Sequence, residues 1–67
     1  MNIWVNGNIK TFISVDMTIA TLVVTLNLTG KRLAIEKNGE LVPRSEFVNV
    51  TVKEGDKLEI VGAVGGG

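Results

Sequence analysis

The sequence has no cysteine, no histidine and no tyrosine, and each absence closes off a chemistry. Without cysteine there is no disulfide staple and no thiol nucleophile, and without histidine there is no imidazole general base. Lacking both, the chain also lacks the usual ligands of a zinc site. Aromatic residues make up only 4% of a sequence that is 45% hydrophobic, so any core must be built mainly from valine, isoleucine and leucine. No apolar run approaches the ~20 residues a membrane-spanning helix needs. Neither sign of charge dominates, since seven basic residues balance seven acidic ones and the two are interspersed. Such a chain has no field with which to grip a phosphate backbone, so it is not read as a nucleic-acid binder.

Sixty-seven residues make one domain, and a chain of that size buries only about 60% of the surface its unfolded form exposes. A core that thin cannot spare side chains to enclose a substrate, which counts against an autonomous enzyme. The opening Met1-Asn2-Ile3-Trp4-Val5-Asn6 has neither the charged nor the apolar region of a signal peptide, so the expected compartment is the cytoplasm. In that compartment the acceptor triplets Asn27-Leu28-Thr29 and Asn49-Val50-Thr51 are chance matches to a glycosylation signal. What remains for chemistry is carboxylates, lysines, hydroxyls and the two chain ends.

Residues 1–15 read as a hairpin. Ile3 and Val5 alternate with Asn2, Trp4 and Asn6 at the period of a half-buried strand, Asn6-Gly7-Asn8 is a strong turn signal, and the return strand is expected from Ile9 to Val15. Residues 18–28 carry the one helical pattern, with Ile19, Leu22, Val23 and Leu26 on a single stripe. Asp16 or Thr18 can cap its start, and Gly30 is the expected stop. The β-branched run through Thr18, Ile19, Thr21, Val23, Val24 and Thr25 opposes this on propensity, so a strand is the competing reading. Periodicity and caps favour a helix held by tertiary packing.

A third strand is expected at Leu33–Lys37, ended by the turn Asn38-Gly39-Glu40, with Leu41-Val42 pairing back before Pro43 ends the run. Ser45–Phe47 reads as a short turn or helical piece. Val48, Val50 and Val52 alternate as another strand, Glu54-Gly55-Asp56 turns the chain, and Leu58 and Ile60 mark the last strand. From Val61 onward there is no charged side chain and no regular pattern. Hairpin, helix and short strands in this order predict an α+β chain: one main helix across one face of a mixed sheet of four to five strands. The first and last strands, both free of proline, would lie side by side in the middle, which is the β-grasp or ubiquitin-like arrangement. Residues 1–61 would form that domain and residues 62–67 a flexible C-terminal glycine tail.

The end of the chain, Val64-Gly65-Gly66-Gly67, is a thread almost free of side chains. Without Cβ atoms, glycine adopts nearly any φ/ψ and lies close to another protein's backbone. A carboxylate at the tip of such a thread can enter a partner's narrow active site where bulkier termini would clash. The plain alternative is a disordered end with no task. Against it stand the lack of any other reactive side chain and a tail that leaves directly from a core strand. Gly67 is then the reactive position, Gly66 governs access, and Gly65 and Val64 are contacts within the partner. The glycine run does not read as a phosphate loop, because no helix follows it.

On these residues the chain resembles the sulfur carrier family of thiamine biosynthesis. The similarity spans essentially the whole sequence. It is carried by Ile3-x-Val5-Asn6-Gly7, by Asn38-Gly39-Glu40-Leu41-Val42-Pro43-Arg44, by Glu54-Gly55-Asp56-Lys57-Leu58-Glu59-Ile60-Val61 and by the terminal glycines. The helix is richer in valine and threonine than is usual in that family, and Gly62-Ala63 departs from its frequent bulky tail.

The resemblance implies a carrier and co-substrate rather than an enzyme. It binds no cofactor itself; ATP and Mg are used by a partner, a ubiquitin-activating-type adenylyltransferase that adenylates the Gly67 carboxylate. A cysteine desulfurase supplies persulfide sulfur, leaving a thiocarboxylate on Gly67, and thiazole synthase consumes it. Two relatives of the same chemistry stay open, a molybdopterin-type sulfur carrier and a ubiquitin-like protein modifier. A different class also stays open, a β-grasp interaction module with an inert tail. Trp4 alternates with Ile3 and Val5, so it points to the other sheet face, either as a docking residue or partly covered by neighbouring strands. Arg44 is either a contact for the adenylating partner or a solvated turn residue.

Overall fold

The computed structural model describes residues 1–62. A five-stranded sheet has the order β2-β1-β7-β4-β5, built from Asn2–Val5 (β1), Asn8–Thr11 (β2), Leu33–Lys37 (β4), Glu40–Val42 (β5) and Lys57–Gly62 (β7). One helix, Ile19–Thr25 (α1), packs on one face, while Met17–Thr18 (β3) and Thr51–Val52 (β6) form a separate two-stranded ribbon. The last strand, β7, is central: it pairs in parallel with β1 and antiparallel with β4. The mixed sheet, the single helix and the adjacent first and last strands are those expected from the sequence.

The buried face is made as the alternation requires. Ile3 and Val5 of β1, Leu58 and Ile60 of β7, Ile35 of β4 and Val42 of β5 meet Ile19 and Leu22 of α1, with Met17 and Val52 of the ribbon closing the edge. No polar or charged side chain is buried among the described residues. This is an aliphatic core, as a chain so poor in aromatics must build.

The helix forms despite its β-branched residues because its ends are satisfied from elsewhere. The orphan N–H groups of its first turn go to the Val50 carbonyl from Ile19 (2.9 Å), the Phe47 carbonyl from Ala20 (2.8 Å) and the Thr18 hydroxyl from Thr21 (3.1 Å). At its other end Asn27 takes the left-handed conformation (φ 62), and the Asn27 and Leu28 N–H groups bond back to Val24 and Val23. That is a Schellman closure, with Leu28 and Val23 both partly buried against the core.

Four expectations are corrected. The helix ends at Thr25 and is closed by left-handed Asn27 rather than by Gly30, because Leu28 folds back over Val23; Gly30 (φ 85) serves the loop beyond. The return strand ends at Thr11, and Ile13 and Val15 stand fully in solvent. Having only β1 as a neighbour, β2 has no partner to extend it once the chain turns toward β3. The run Val48-Val50-Val52 is not one strand, since residues 47–50 curl with Asn49 and Val50 both donating to the Glu46 carbonyl at 2.9 Å. That curl presents the carbonyls that cap the helix. Finally, the stretch from Val61, where the sequence shows no regular pattern, begins as strand: Val61 and Gly62, the latter expected to open the tail, pair with Ala34 and Leu33 as the end of β7.

Candidate functional site

The strand that leads to the glycine run is held from both sides. On one side β7 pairs with β4 along Lys37–Leu58 to Leu33–Gly62, so hydrogen bonding reaches Gly62 itself. On the other side β1 pairs only as far as Val5 and Leu58 before its chain turns away at Asn6-Gly7. Both turn residues have positive φ (52 and 84), the geometry of the tight primed hairpin that Asn-Gly favours.

The Asn6 side chain then takes the place of the missing backbone. Its amide Nδ2 donates to the Ile60 carbonyl at 2.9 Å, and its Oδ1 accepts from the Ile60 N–H at 2.7 Å. The carboxamide imitates a peptide group and carries the ladder two residues closer to the tail. The second Asn-Gly turn does the same at the start of β7: Asn38 Oδ1 accepts from the Lys57 N–H at 2.9 Å, and its Nδ2 donates to Asp56 Oδ1 at 3.1 Å. Asp56 is itself fixed, accepting from the Lys53 N–H at 2.8 Å and lying 3.9 Å from the Lys37 ammonium. The sequence marked both dipeptides as turns. Their second task could not be read there, because it depends on strand register.

Asn6→Gly tests this clamp without disturbing the positive φ. Losing two partly buried hydrogen bonds is expected to lower stability by about 1–3 kcal/mol, measured by chemical denaturation. Amide exchange at Ile60 should accelerate while that at Ile35 changes only with global stability. Unaltered protection at Ile60 would show that the carboxamide does not hold the strand.

Around Gly62 the fold opens a surface cleft of about 420 Å³, lined by Arg32, Leu33, Ala34, Arg44, Val61 and Gly62. Pro43 ends β5, and the short 3₁₀ turn Arg44–Glu46 that follows sets Arg44 beside the end of β7. There its guanidinium Nη2 donates to the Lys31 carbonyl at 3.3 Å. Arg32 was not singled out from the sequence; it reaches the cleft because Leu33 is the register partner of Gly62.

Trp4 lies elsewhere. It is 39% exposed on the sheet face away from α1, opposite Ile9 and level with Lys57. Five strand residues separate that level from Gly62, roughly 17 Å. The structure therefore brings Arg44 to the tail's root and leaves Trp4 at the far end of β7. The remaining sequence candidates, Val64, Gly65, Gly66 and Gly67, lie outside the described residues. Among the described residues no cluster of carboxylates suited to a metal ion occurs, and no helix is long and apolar enough to cross a membrane.

Comparison with known proteins agrees with this geometry. The ThiS family model matches residues 3–67. A thiazole synthase of Paramagnetospirillum magneticum is 42% identical over all 67 residues, which span 20% of that protein's length. Among solved structures, the crystal structure of a thiamine biosynthesis protein (ThiS) from Geobacter metallireducens superposes with a TM-score of 0.88 at 33% identity, covering all of both chains. A solution structure of a thiamine biosynthesis protein from the same organism gives 0.81 at 33% identity, covering all of this chain and 88% of the other.

Proposed function

The chain belongs to the ThiS family, and we propose that it works as the sulfur carrier for thiazole formation, with the Gly67 carboxylate as its reactive group. The observation that carries this reading is the path of β7. The central, doubly paired strand ends at Gly62 beside an open cleft, and the sequence beyond it is Ala63-Val64-Gly65-Gly66-Gly67. A rigid body thus fixes where the thread begins, and the glycines leave its tip unhindered.

A carboxylate is a poor electrophile until one oxygen becomes a good leaving group, so activation comes first. In the proposed cycle the Gly67 carboxylate attacks the α-phosphate of ATP held by an adenylyltransferase, releasing pyrophosphate and forming an acyl-adenylate. The terminal sulfur of a desulfurase-derived persulfide then attacks the carbonyl carbon and expels AMP, leaving an acyl disulfide. A thiol cleaves that disulfide to give the thiocarboxylate. This chain has no cysteine, so both the persulfide and the resolving thiol must come from elsewhere. Thiazole synthase takes the sulfur in the last step, and likeness to a protein of that name supports this partner. The family match and the full-length likeness to thiamine biosynthesis structures favour this branch over a molybdopterin carrier, a protein modifier or an inert interaction module.

Intact mass after incubation with the adenylyltransferase, ATP and a sulfur source tests the reading. The expected result is the exchange of one oxygen for sulfur on the carrier. Conjugates to other proteins, seen as ladders on a gel, would instead indicate a modifier. Gly66→Leu places a branched side chain one residue from the reacting carbonyl and is expected to slow adenylation about a hundredfold or more, since small misplacements at a reacting centre cost that much. Pyrophosphate release measures it, and normal turnover would refute passage through a narrow channel.

A further inference from the structure

We propose that Arg32 and Arg44 form a cationic collar at the root of the tail that docks on carboxylates at the rim of the adenylyltransferase's tail channel. The inference rests on the carrier reading and adds to it a second, non-reacting recognition site. Its basis is a local imbalance in a chain of zero net charge. Arg32 and Arg44 both line the cleft at Gly62, Lys31 stands beside them, and no acidic side chain lines that cleft. Among the described residues the one ion pair is Lys37 with Asp56, well away from this end, so neither arginine meets a carboxylate within its own fold. Lys37, by contrast, is committed to Asp56 and the Thr51 carbonyl.

The form of the cleft specifies the occupant. Leu33, Ala34 and Val61 add a small aliphatic surface to the cleft that the two arginines line, and all its lining residues except half-buried Leu33 are exposed. Two planar forks over a shallow apolar surface suit protein carboxylates flanking a small apolar side chain, the arginine-rich composition of interface centres. The arginines are badly placed to assist at the phosphate of ATP. Five residues separate Gly62 from Gly67, a span of roughly 17 Å for an extended thread, so a tail drawn into a channel carries the reacting carboxyl far from its root. Whatever receives the tail must press its channel mouth against this cleft, and in the proposed cycle the adenylyltransferase is the first to do so. Arg44 is preset for the contact by its bond to the Lys31 carbonyl.

Steady-state adenylation, followed by pyrophosphate release with the adenylyltransferase and varied carrier, tests the collar. Arg32→Glu combined with Arg44→Glu is expected to raise the KM for carrier by about tenfold or more, with kcat at saturating carrier within about twofold, as for charges that act in encounter and docking. For the unaltered carrier, raising salt from ~0.05 to ~0.3 M should raise KM, since exposed charges are screened over that range. The double variant should lose most of that salt dependence. Arg32→Glu alone leaves the Arg44–Lys31 bond intact and is expected to give part of the effect, which guards against misfolding as the cause. An unchanged KM in a folded double variant overturns the collar while leaving the carrier reading standing. A fall in kcat at unchanged KM also overturns it, placing the arginines at the chemistry instead. If the unaltered carrier is not adenylated at all, the carrier reading fails and the collar with it.

Discussion

Deletion of Gly66 and Gly67 is expected to abolish ATP-dependent adenylation and sulfur incorporation while leaving the folded domain intact. The buried core of the described residues ends at Ile60, and the last ladder pair is Gly62 with Leu33. That core and the β7 clamp are complete by Gly62, so melting of the truncated protein should match the full chain within about 0.5 kcal/mol, as for changes remote from any core or cap. Chemically the loss is complete. The truncated chain still ends in a glycine carboxylate, that of Gly65, but the thread is shorter by two residues, or roughly 7 Å when extended. A nucleophile that falls short of the α-phosphate by that distance cannot react, because attack needs the reacting atoms about 3–3.5 Å apart. Retained adenylation in a truncated protein of unchanged stability would remove the basis for calling the chain a carrier.

Leu58→Ala is expected to be the most damaging single core substitution, at about 2–5 kcal/mol. Leu58 is 1% exposed and sits on the central strand, in register with Val5 on one side and Lys37 on the other. A domain of this size has only about 3–10 kcal/mol of total stability, and without cysteine it has no disulfide to fall back on. Each kcal/mol corresponds to about 4–8 °C in Tm for a small domain, so the variant should melt at least ~10 °C lower or lose cooperative unfolding. The neighbouring Glu59→Ala, on the exposed face, is the control and should lie within about 0.5 kcal/mol of the parent. Circular dichroism on heating separates the two. A loss below about 1 kcal/mol at Leu58 would mean that the helix does not press on the strand as the burial implies. Because β7 carries the tail, adenylation by this variant should fall in step with its folded fraction.

Much of the fold was legible because local chemistry and global pattern agree. Asn6-Gly7, Asn38-Gly39 and Glu54-Gly55-Asp56 are turns in sequence and turns in space, with positive φ where glycine and asparagine tolerate it. Ile3, Val5, Leu58 and Ile60 alternate because they line one face. The misreadings fall where a segment answers to a distant partner. Val48 and Val50 have strand propensity, yet their segment curls to offer the carbonyls of Phe47 and Val50 to the first turn of α1. Ile13 and Val15 have it too, but no neighbouring strand exists for them to pair with. Trp4 was correctly read as pointing away from Ile3 and Val5, but its distance from the tail's root follows from the parallel register of β1 with β7.

The sequence alone determined the class of chemistry. The absence of cysteine and histidine removed thiol and imidazole chemistry, and the glycine run at residues 65–67 is what the carrier proposal builds on. The sequence also determined the order of elements, since periodicity and turn residues act over a few neighbours. Only the tertiary structure decided how the tail's origin is held and what surrounds it. The Asn6 carboxamide standing in for backbone at Ile60, and Arg32 meeting Arg44 beside Gly62, join residues from 12 to 54 positions apart. The physical reason is that such contacts are set by strand register and crossover, which no local stretch of sequence encodes by itself.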